Sequence, residues 1–204
     1  MKDNELVLDE MRQFVKSKVS PRRYEHILRV ESEAAEMARI FLKDKSFDLR
    51  VAAIFHDVTK DIYFKEQLQL CKIFGIIVDD FCSEDTIHAK TGAFFAKQHY
   101  SDYITDEVFS AISSHTTGSE CMSLFDKLIF IADYIECGRT YQKCKDVREK
   151  FWSVDFSASQ NELDRHVDDI CIEILDNTIV YLVSQRKLID SETFKARNSL
   201  LQKA

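Results

Sequence analysis

Glycine and proline are so scarce in this chain that they limit what it can fold into. Its 204 residues contain four glycines and one proline, where average usage gives about 14 and about 10. Sheet-rich folds need these residues at their many tight turns, which disfavours a β-sandwich or a barrel. The four glycines also form neither a G-x-G-x-x-G nor a G-x-x-x-x-G-K-[ST] motif. The sequence therefore predicts an all-α fold, in which any phosphate chemistry uses something other than a glycine-rich loop.

Apolar residues recur at spacings of three and four along most of the chain, which predicts a succession of helices. Ser20 followed by Pro21 is typical of a helix start, and Gly75 is typical of a helix end. Ser159 and Glu162 have the spacing of a capping box, which predicts that a long helix begins there. The predicted helices cover about 5–18, 20–41, 49–55, 65–74, 86–98, 106–114, 124–136, 159–185 and 190–201, with no helix assigned to 137–156.

The length of the chain favours a single domain that spans residues 1–204. Its core lies at about 20–140, and a C-terminal helical extension lies at about 157–204. The net charge of −7 argues against nucleic-acid binding but permits an anionic small molecule in a locally positive site. The chain begins without a signal-like apolar core and has no apolar run of membrane-spanning length. Its six cysteines are scattered, without a C-x-x-C pair. These features predict a cytoplasmic protein with no membrane partner, and they leave a homodimer open.

Histidine and aspartate occur at positions where apolar helices predict burial. His56 and Asp57 end a strongly apolar segment, and Asp133 interrupts the apolar run 128–135. A buried aspartate is rarely found unless it is paired or bound to a metal. His99 and His166 lie in polar surroundings, which favours an ordinary surface role.

Four histidines and two aspartates next to apolar helices make up a candidate metal-ligand set. Its members are His26, His56, Asp57, His88, His115 and Asp133. Imidazole and carboxylate ligands suit iron, manganese and zinc. Six ligands are too many for one open catalytic ion but suit two ions that share a carboxylate. Such a pair can polarise a phosphoryl oxygen and bind a hydroxide nucleophile. Any one of these histidines alone would more often be an ordinary core or surface residue.

Five short strings carry a resemblance to a known family. They are RYEHILRV at 23–30, AIFHDVTK at 53–60, HAKTGA at 88–93, SHTTG at 114–118 and ADYIECGR at 132–139. The order H…HD…H…H…D resembles the HD-domain metal-dependent phosphohydrolases. The strings themselves are similar to those of the YqeK family, the symmetrical bis(5′-nucleosyl)-tetraphosphatases of bacteria. The resemblance is strong from about 20 to 139 and loose beyond. One departure is that the family pattern has Glu-Pro before the arginine, whereas here Glu136 is followed by Cys137 and Gly138.

The resemblance implies an all-α HD bundle that holds two divalent metal ions. Iron is the expected metal, with manganese or another transition metal as the alternative. The implied activity is cleavage of diadenosine tetraphosphate into two ADP, by attack of metal-bound hydroxide on a central phosphorus. In the implied division of ligands, His26, His56, Asp57 and Asp133 hold one ion, and Asp57 bridges to a second ion held by His88 and His115.

The same resemblance implies side chains that act on the substrate together with Asp57. Lys60 and Arg139 are the candidates to stabilise the charge of the leaving diphosphate, because cations stabilise developing negative charge. Thr116 is a candidate hydrogen-bond partner of a phosphate oxygen. Asp61 is a candidate base or orienting group, and it is equally suited to capping the next helix. Three more cationic residues lie near the ligand segments and are given only a secondary role in substrate binding: Arg22, Arg23 and Lys90.

Other functions stay open at the level of sequence. The same scaffold also supports nucleotidases and nucleoside polyphosphate hydrolases of other specificity, because a fold alone does not choose a substrate. Cleavage of cyclic dinucleotides is disfavoured, since the chain lacks a Gly-Tyr-Pro triplet. A di-iron oxygenase is a further alternative, against which Lys60 and Arg139 argue. The last alternative is a nucleotide sensor that binds without turnover.

Overall fold

The fold is known from a computed structural model that describes residues 4–78 and 83–203. These residues form ten α-helices and one short 3₁₀ turn, without a β-strand among them. The helices are α1 (Asn4–Lys16), α2 (Pro21–Phe41), α3 (Ser46–Phe55), α4 (Phe64–Phe74), α5 (Ile87–His99), α6 (Asp106–Ser114), α7 (Leu124–Ile135), α8 (Gln142–Trp152), α9 (Gln160–Ser184) and α10 (Ser191–Lys203). The all-α prediction is confirmed.

Nine of these helices correspond to the predicted ones, and all but one agree with them to within two residues at each end. The exception is α3, which begins at Ser46, directly after the 3₁₀ turn Lys43–Lys45. Helix α8 lies in the stretch to which no helix was assigned. Its first turn has no side-chain cap, and its buried face consists of Cys144, Val147 and Phe151 alone. So narrow an apolar stripe gives a weak periodic signal.

Side-chain caps fix several of the helix ends that the sequence predicts. The hydroxyl of Ser20 accepts a hydrogen bond from the Arg23 amide, at 3.3 Å, in the first turn of α2. Gly75 ends α4 with φ +68°, a left-handed conformation that glycine adopts without a steric penalty. Both arms of the capping box between Ser159 and Glu162 are present at the start of α9. These caps satisfy backbone groups that a helix terminus otherwise leaves without partners.

The core is centred on α3, whose residues 51–55 are all completely buried. Helix α2 packs along α3, and α1, α5, α6 and α7 also contact it. The chain leaves α3 at His56 and Asp57, so both polar residues emerge inside the bundle and not at its surface. Each of them is no more than 3% exposed.

The C-terminal helices pack against this bundle on the far side of α7. Helix α9 contacts α7, α8 and α10. Gly118, in the turn after α6, has φ +69°, and a Cβ atom there would lie 2.9 Å from the Cβ of Ala196 on α10. The last helix therefore lies directly on the segment that follows His115. Among the described residues, no helix has both the length and the apolar character needed to cross a membrane.

Candidate metal centre

The turn after α3 presents two of the predicted ligands in a fixed orientation. The backbone amide of Val58 donates to the Phe55 carbonyl, and that of Lys60 donates to the Asp57 carbonyl. The Nδ1 atom of His56 lies 2.7 Å from the Ala53 carbonyl oxygen. The imidazole therefore hydrogen-bonds back to its own helix and directs its other nitrogen, Nε2, into the bundle.

The structure brings all six predicted ligands together. They come from α2 (His26), the turn after α3 (His56 and Asp57), α5 (His88), the residue after α6 (His115) and α7 (Asp133). Groups of ligand atoms that lie within 4.8 Å of one another are His26, His56 and Asp57; His56, His115 and Asp133; and Asp57, His88 and His115. We call these six residues the ligand cluster.

Asp57 is the centre of the ligand cluster because its two oxygens face different pairs of imidazoles. Its Oδ2 atom lies 3.4 Å from Nε2 of His56 and 3.6 Å from Nε2 of His26. Its Oδ1 atom lies 3.1 Å from Nε2 of His88 and 3.6 Å from Nε2 of His115. A carboxylate in this position can hold one cation with each oxygen.

Asp133 completes the first of these two groups. Its Oδ1 atom lies 3.0 Å from Nε2 of His26 and 3.9 Å from Nε2 of His56. The ligand cluster thus has two halves that share Asp57. The His26 half contains His26, His56 and Asp133, and the His88 half contains His88 and His115.

The hydrogen bonds of the imidazoles fit a pair of bound cations. A carbonyl oxygen only accepts, so Nδ1 must donate in His56, to Ala53, and in His115, to Ile112 at 2.8 Å. Metal-binding histidines characteristically donate their second nitrogen in this way, which leaves Nε2 for the ion. The Nε2 atoms also face one another in pairs, at 3.3 Å between His56 and His26 and at 3.2 Å between His88 and His115. Four imidazole nitrogens grouped in pairs beside a shared carboxylate make a donor set suited to divalent metal ions once their Nε2 atoms are deprotonated.

The His26 half lies among charged groups. Glu136 is 2% exposed and lies 3.2 Å from Nδ1 of His26 through Oε1. Its other oxygen accepts hydrogen bonds from Arg29 Nε and from the Gly138 amide, both at 2.6 Å. Burial alone would lower the pKa of His26, but the hydrogen bonds with Asp133 and Glu136 outweigh it and raise this pKa to about 9.

Gly138 lies at a point where a side chain from α2 approaches the backbone closely. A Cβ atom at this position would collide with the guanidinium of Arg29. The glycine therefore admits Arg29 to Glu136 while its own amide holds the same carboxylate. In this loop, the Gly138 amide holds the Glu136 carboxylate, which faces His26.

The His88 half lies among neutral groups and one lysine. Thr116 Oγ1 lies 3.2 Å from His88 Nε2 and 3.1 Å from His115 Nε2. Lys60 Nζ lies 3.2 Å from His88 Nδ1 and donates to the Asp85 carbonyl at 2.9 Å. Burial lowers the pKa of His88 to about 4, with Lys60 contributing in the same direction and Asp57 opposing.

Two arginines reach the carboxylates of the ligand cluster. Arg23 donates to Asp57 Oδ2 at 2.6 Å, and Arg139 donates to Asp133 Oδ1 at 2.5 Å. The buried Nε of Arg23 has no hydrogen-bond partner. Both arginines line a cavity of about 700 Å³ that reaches His26. We call it the arginine cavity, for the four arginines that line it: Arg22, Arg23, Arg29 and Arg139.

The residues predicted to act on substrate lie around the ligand cluster. Arg139 and Asp61 line the arginine cavity, whereas Lys60 and Thr116 contact the His88 half. Asp61 Oδ2 accepts a hydrogen bond from the Ser20 amide at 2.8 Å, and its Oδ1 lies 3.7 Å from Arg23 Nε. Asp61 therefore caps the start of α2 and faces Arg23 there; the next helix, α4, which it was expected to cap as an alternative, has no side-chain cap.

Sequence reasoning missed the parts played by two residues. Arg23 was treated as secondary charge, and Glu136 was noted only as part of a string. Arg23 lies one helical turn before His26 on α2, and that spacing is a signal for a shared face. Glu136 follows the apolar helix that carries Asp133, where a carboxylate is unlikely to be buried without a partner.

An all-helical bundle with a histidine and aspartate cluster around an H-D turn defines a class of proteins. The HD domain family matches residues 23–138, slightly more than half of the chain. The chain belongs to the HD-domain family. A crystal structure of a predicted HD superfamily hydrolase involved in NAD metabolism, from Clostridium acetobutylicum, is similar to it with a TM-score of 0.81. That neighbour is 26% identical, and the match covers 96% of this chain and 97% of the other.

Full-length relatives narrow the class further. The chain is 31% identical over 194 residues to the symmetrical bis(5′-nucleosyl)-tetraphosphatase of Halalkalibacterium halodurans, covering 93% of this chain and 94% of the relative. It is 30% identical to the protein of the same name from Staphylococcus aureus, covering 94% and 93%. The chain belongs to this family of symmetrical bis(5′-nucleosyl)-tetraphosphatases.

Proposed function

We propose that this chain hydrolyses diadenosine tetraphosphate and related dinucleoside tetraphosphates symmetrically, into two nucleoside diphosphates. The observation that carries the proposal is the position of Asp57, whose two oxygens face two separate imidazole pairs beside a cavity lined by arginines. The names of the two full-length relatives support the same reaction. A probable nicotinate-nucleotide adenylyltransferase/Ap4A hydrolase of Mycoplasma pneumoniae, 31% identical over 121 residues, points to the same substrate.

The ligand cluster would hold two divalent ions, with iron as the proposed native metal. One ion would bind His26, His56, Asp57 and Asp133, and the other would bind Asp57, His88 and His115. Bound ions of this kind polarise phosphoryl oxygens and lower the pKa of water, which supplies the nucleophile for hydrolysis. The distances from Asp57 to both imidazole pairs support this division.

The cationic side chains would bind and orient the phosphate chain. Arg23 and Arg139 are suited to phosphate because a guanidinium donates two parallel hydrogen bonds to its oxygens. Arg23 lines the arginine cavity, and its buried Nε has no hydrogen-bond partner. Arg139 would stabilise the charge that develops on the departing diphosphate.

Lys60 and Thr116 would act on the opposite side of the ligand cluster. Both lie within 3.2 Å of His88, so a phosphate group at the His88 half would meet an ammonium and a hydroxyl. Asp61 would act as an orienting group, because its Oδ2 accepts the Ser20 amide and its Oδ1 faces Arg23.

Product identification tests the proposed reaction directly. We expect purified protein supplied with Fe²⁺ or Mn²⁺ to convert diadenosine tetraphosphate into ADP alone, as measured by chromatography of the nucleotides. Formation of AMP and ATP would refute symmetrical cleavage. A higher kcat/KM for a mononucleotide or a nucleoside triphosphate in the same panel would indicate a hydrolase of other specificity.

A matched pair of histidine variants tests the assignment of the site. His115→Gln removes a proposed ligand, whereas His99→Gln alters an exposed histidine whose Nδ1 lies 2.9 Å from the Phe95 carbonyl oxygen. We expect elemental analysis to find less metal in His115→Gln, together with loss of hydrolysis, and no change in either for His99→Gln. Full metal content and activity in His115→Gln would remove this histidine from the proposed site.

A further inference from the structure

A second cavity adjoins the His88 half of the ligand cluster, whereas the arginine cavity reaches the His26 half. It has a volume of about 280 Å³ and lies between the segment 83–86, α9, and the segment that joins α9 to α10. We call it the threonine cavity, for the four threonines that line it: Thr86, Thr116, Thr178 and Thr193. Its volume is close to the lower limit, about 300 Å³, of pockets that bind small molecules.

The threonine cavity borders the His88 half of the ligand cluster at Thr116. Thr116 lines the cavity and lies within 3.2 Å of Nε2 of both His88 and His115. Asp85, which also lines the cavity, accepts a hydrogen bond from Lys60 through its carbonyl oxygen. A ligand that leaves the cluster on this side therefore passes Thr116 and enters the cavity.

The walls of the two cavities differ in chemistry. The arginine cavity has four guanidinium groups, which suit phosphate. The threonine cavity instead combines hydroxyl groups with the side chains of Tyr181, Leu182 and Leu188. The lysine at its rim, Lys187, is paired with Asp85 at 2.8 Å. Apolar walls with a few polar groups suit a neutral, flat ring system that carries hydroxyls.

We propose that the threonine cavity binds one of the two nucleosides of the dinucleoside tetraphosphate. This proposal rests on the proposed function and extends it to a named subsite. The phosphate chain lies across the ligand cluster, one nucleoside extends toward the arginine cavity, and the other enters the threonine cavity. The base stacks on Tyr181, and the ribose meets Thr178 and Thr193. A substrate with a nucleoside at each end has a group for each cavity, whereas a mononucleotide fills one of them.

Tyr181 is the side chain through which to test this subsite. It is 50% exposed on α9, so its replacement leaves the core intact. Stacking of a base on an aromatic ring increases affinity by about tenfold or more. The neighbouring Val180 is 65% exposed, lies outside the cavity lining and serves as the matched control.

The experiment measures KM and kcat for diadenosine tetraphosphate in four proteins with metal bound. These are the wild type, Tyr181→Ala, Tyr181→Phe and Val180→Ala. We expect Tyr181→Ala to raise KM about tenfold with kcat within a factor of two. Tyr181→Phe keeps the ring and is expected to stay within twofold of the wild type in both constants, as is Val180→Ala.

The outcomes separate this proposal from the proposed function. An active wild type with unchanged KM in Tyr181→Ala overturns the nucleoside subsite and leaves the proposed hydrolysis intact. A lower kcat together with a higher KM in both Tyr181→Ala and Val180→Ala indicates a damaged helix. That result also overturns the subsite. A wild type that does not hydrolyse diadenosine tetraphosphate overturns the proposed function and the subsite with it.

Discussion

The two halves of the ligand cluster contain the same kind of side chain in opposite electrostatic surroundings. His26 lies between Asp133 and Glu136, which raise its pKa to about 9. His88 is buried beside Lys60 and has a pKa lowered to about 4. The two imidazoles differ by about five pKa units although both lie against Asp57. Burial sets the direction for His88, whereas carboxylate partners overcome burial at His26.

This difference indicates that the two halves respond to different kinds of change. The His26 half depends on charged partners, among them Glu136, Arg29 and Arg139. The His88 half depends on neutral hydrogen bonds beneath it. The Thr59 hydroxyl donates to the His88 carbonyl at 3.0 Å, and Gln67 Nε2 donates to the Thr59 carbonyl at 2.6 Å.

Replacement of Asp57 should weaken metal binding in both halves, because each half uses one of its carboxylate oxygens. We expect Asp57→Asn to lose both ions and to lower kcat by at least about a thousandfold, since metal ions contribute several kcal/mol of transition-state stabilisation. Elemental analysis and single-turnover hydrolysis would measure the two effects. Asp44→Asn, at an exposed position, is the control. Two ions retained per chain in Asp57→Asn would contradict the bridging role.

Replacement of Glu136 should affect one half only. Glu136→Gln keeps an oxygen that can accept from His26 but removes the charge. Changes to such partners of metal-binding histidines cost about 10- to 100-fold in metal affinity. Titration calorimetry of metal-depleted protein should therefore find one weakened site and one unchanged site. Equal weakening of both sites would show that the halves are not independent.

Replacement of a neutral hydrogen-bonding residue beneath the His88 half should lower the stability of the fold. Gln67 is 2% exposed, and its amide oxygen also accepts a hydrogen bond from the Thr91 hydroxyl. Gln67→Met should lower the free energy of unfolding by about 1–3 kcal/mol, because it leaves buried polar groups without partners. Urea denaturation measures this change. Gln69→Met, at an exposed position on the same helix, should be close to the wild type.

A further expected effect is the pH dependence of stability in metal-depleted protein. The pKa of His26, about 9, lies above the ordinary value of 6.5, so its stabilising contribution is complete below pH 6.5 and is lost as pH rises through about 9. The pKa of His88, about 4, lies below 6.5, so its contribution is complete above pH 6.5 and is lost as pH falls through about 4. Thermal unfolding across this range should give a maximum near pH 6.5. A monotonic profile would contradict the opposite shifts.

Sequence alone predicted the helices with strong local signals. Ser20 with Pro21, and Ser159 with Glu162, are short-range caps that act within one turn, so their meaning survives in any tertiary context. The ligand cluster was also predictable as a set, because each member adjoins an apolar helix. Helix α8 was not predicted, since its narrow buried stripe depends on what α9 and α7 place against it.

What the sequence could not predict comes from contacts between distant segments. Glu136 meets His26 across 110 positions, and Arg23 meets Asp57 across 34. The threonine cavity is assembled from the segment 83–86, the turn after α6, and the C-terminal helices. No local pattern encodes such a meeting, because it depends on how the helices pack.

The close contact between Gly138 and Arg29 limits which amino acids can replace this glycine. Every replacement adds at least one carbon where the Arg29 guanidinium lies, and the displaced arginine would leave Glu136 with one cationic partner fewer. Position 138 should therefore favour glycine, because a larger residue must move the flexible Arg29 side chain away from Glu136. Among variant libraries screened for activity, replacements at this position should cost less than replacements of the histidines, because the Arg29 side chain can move aside.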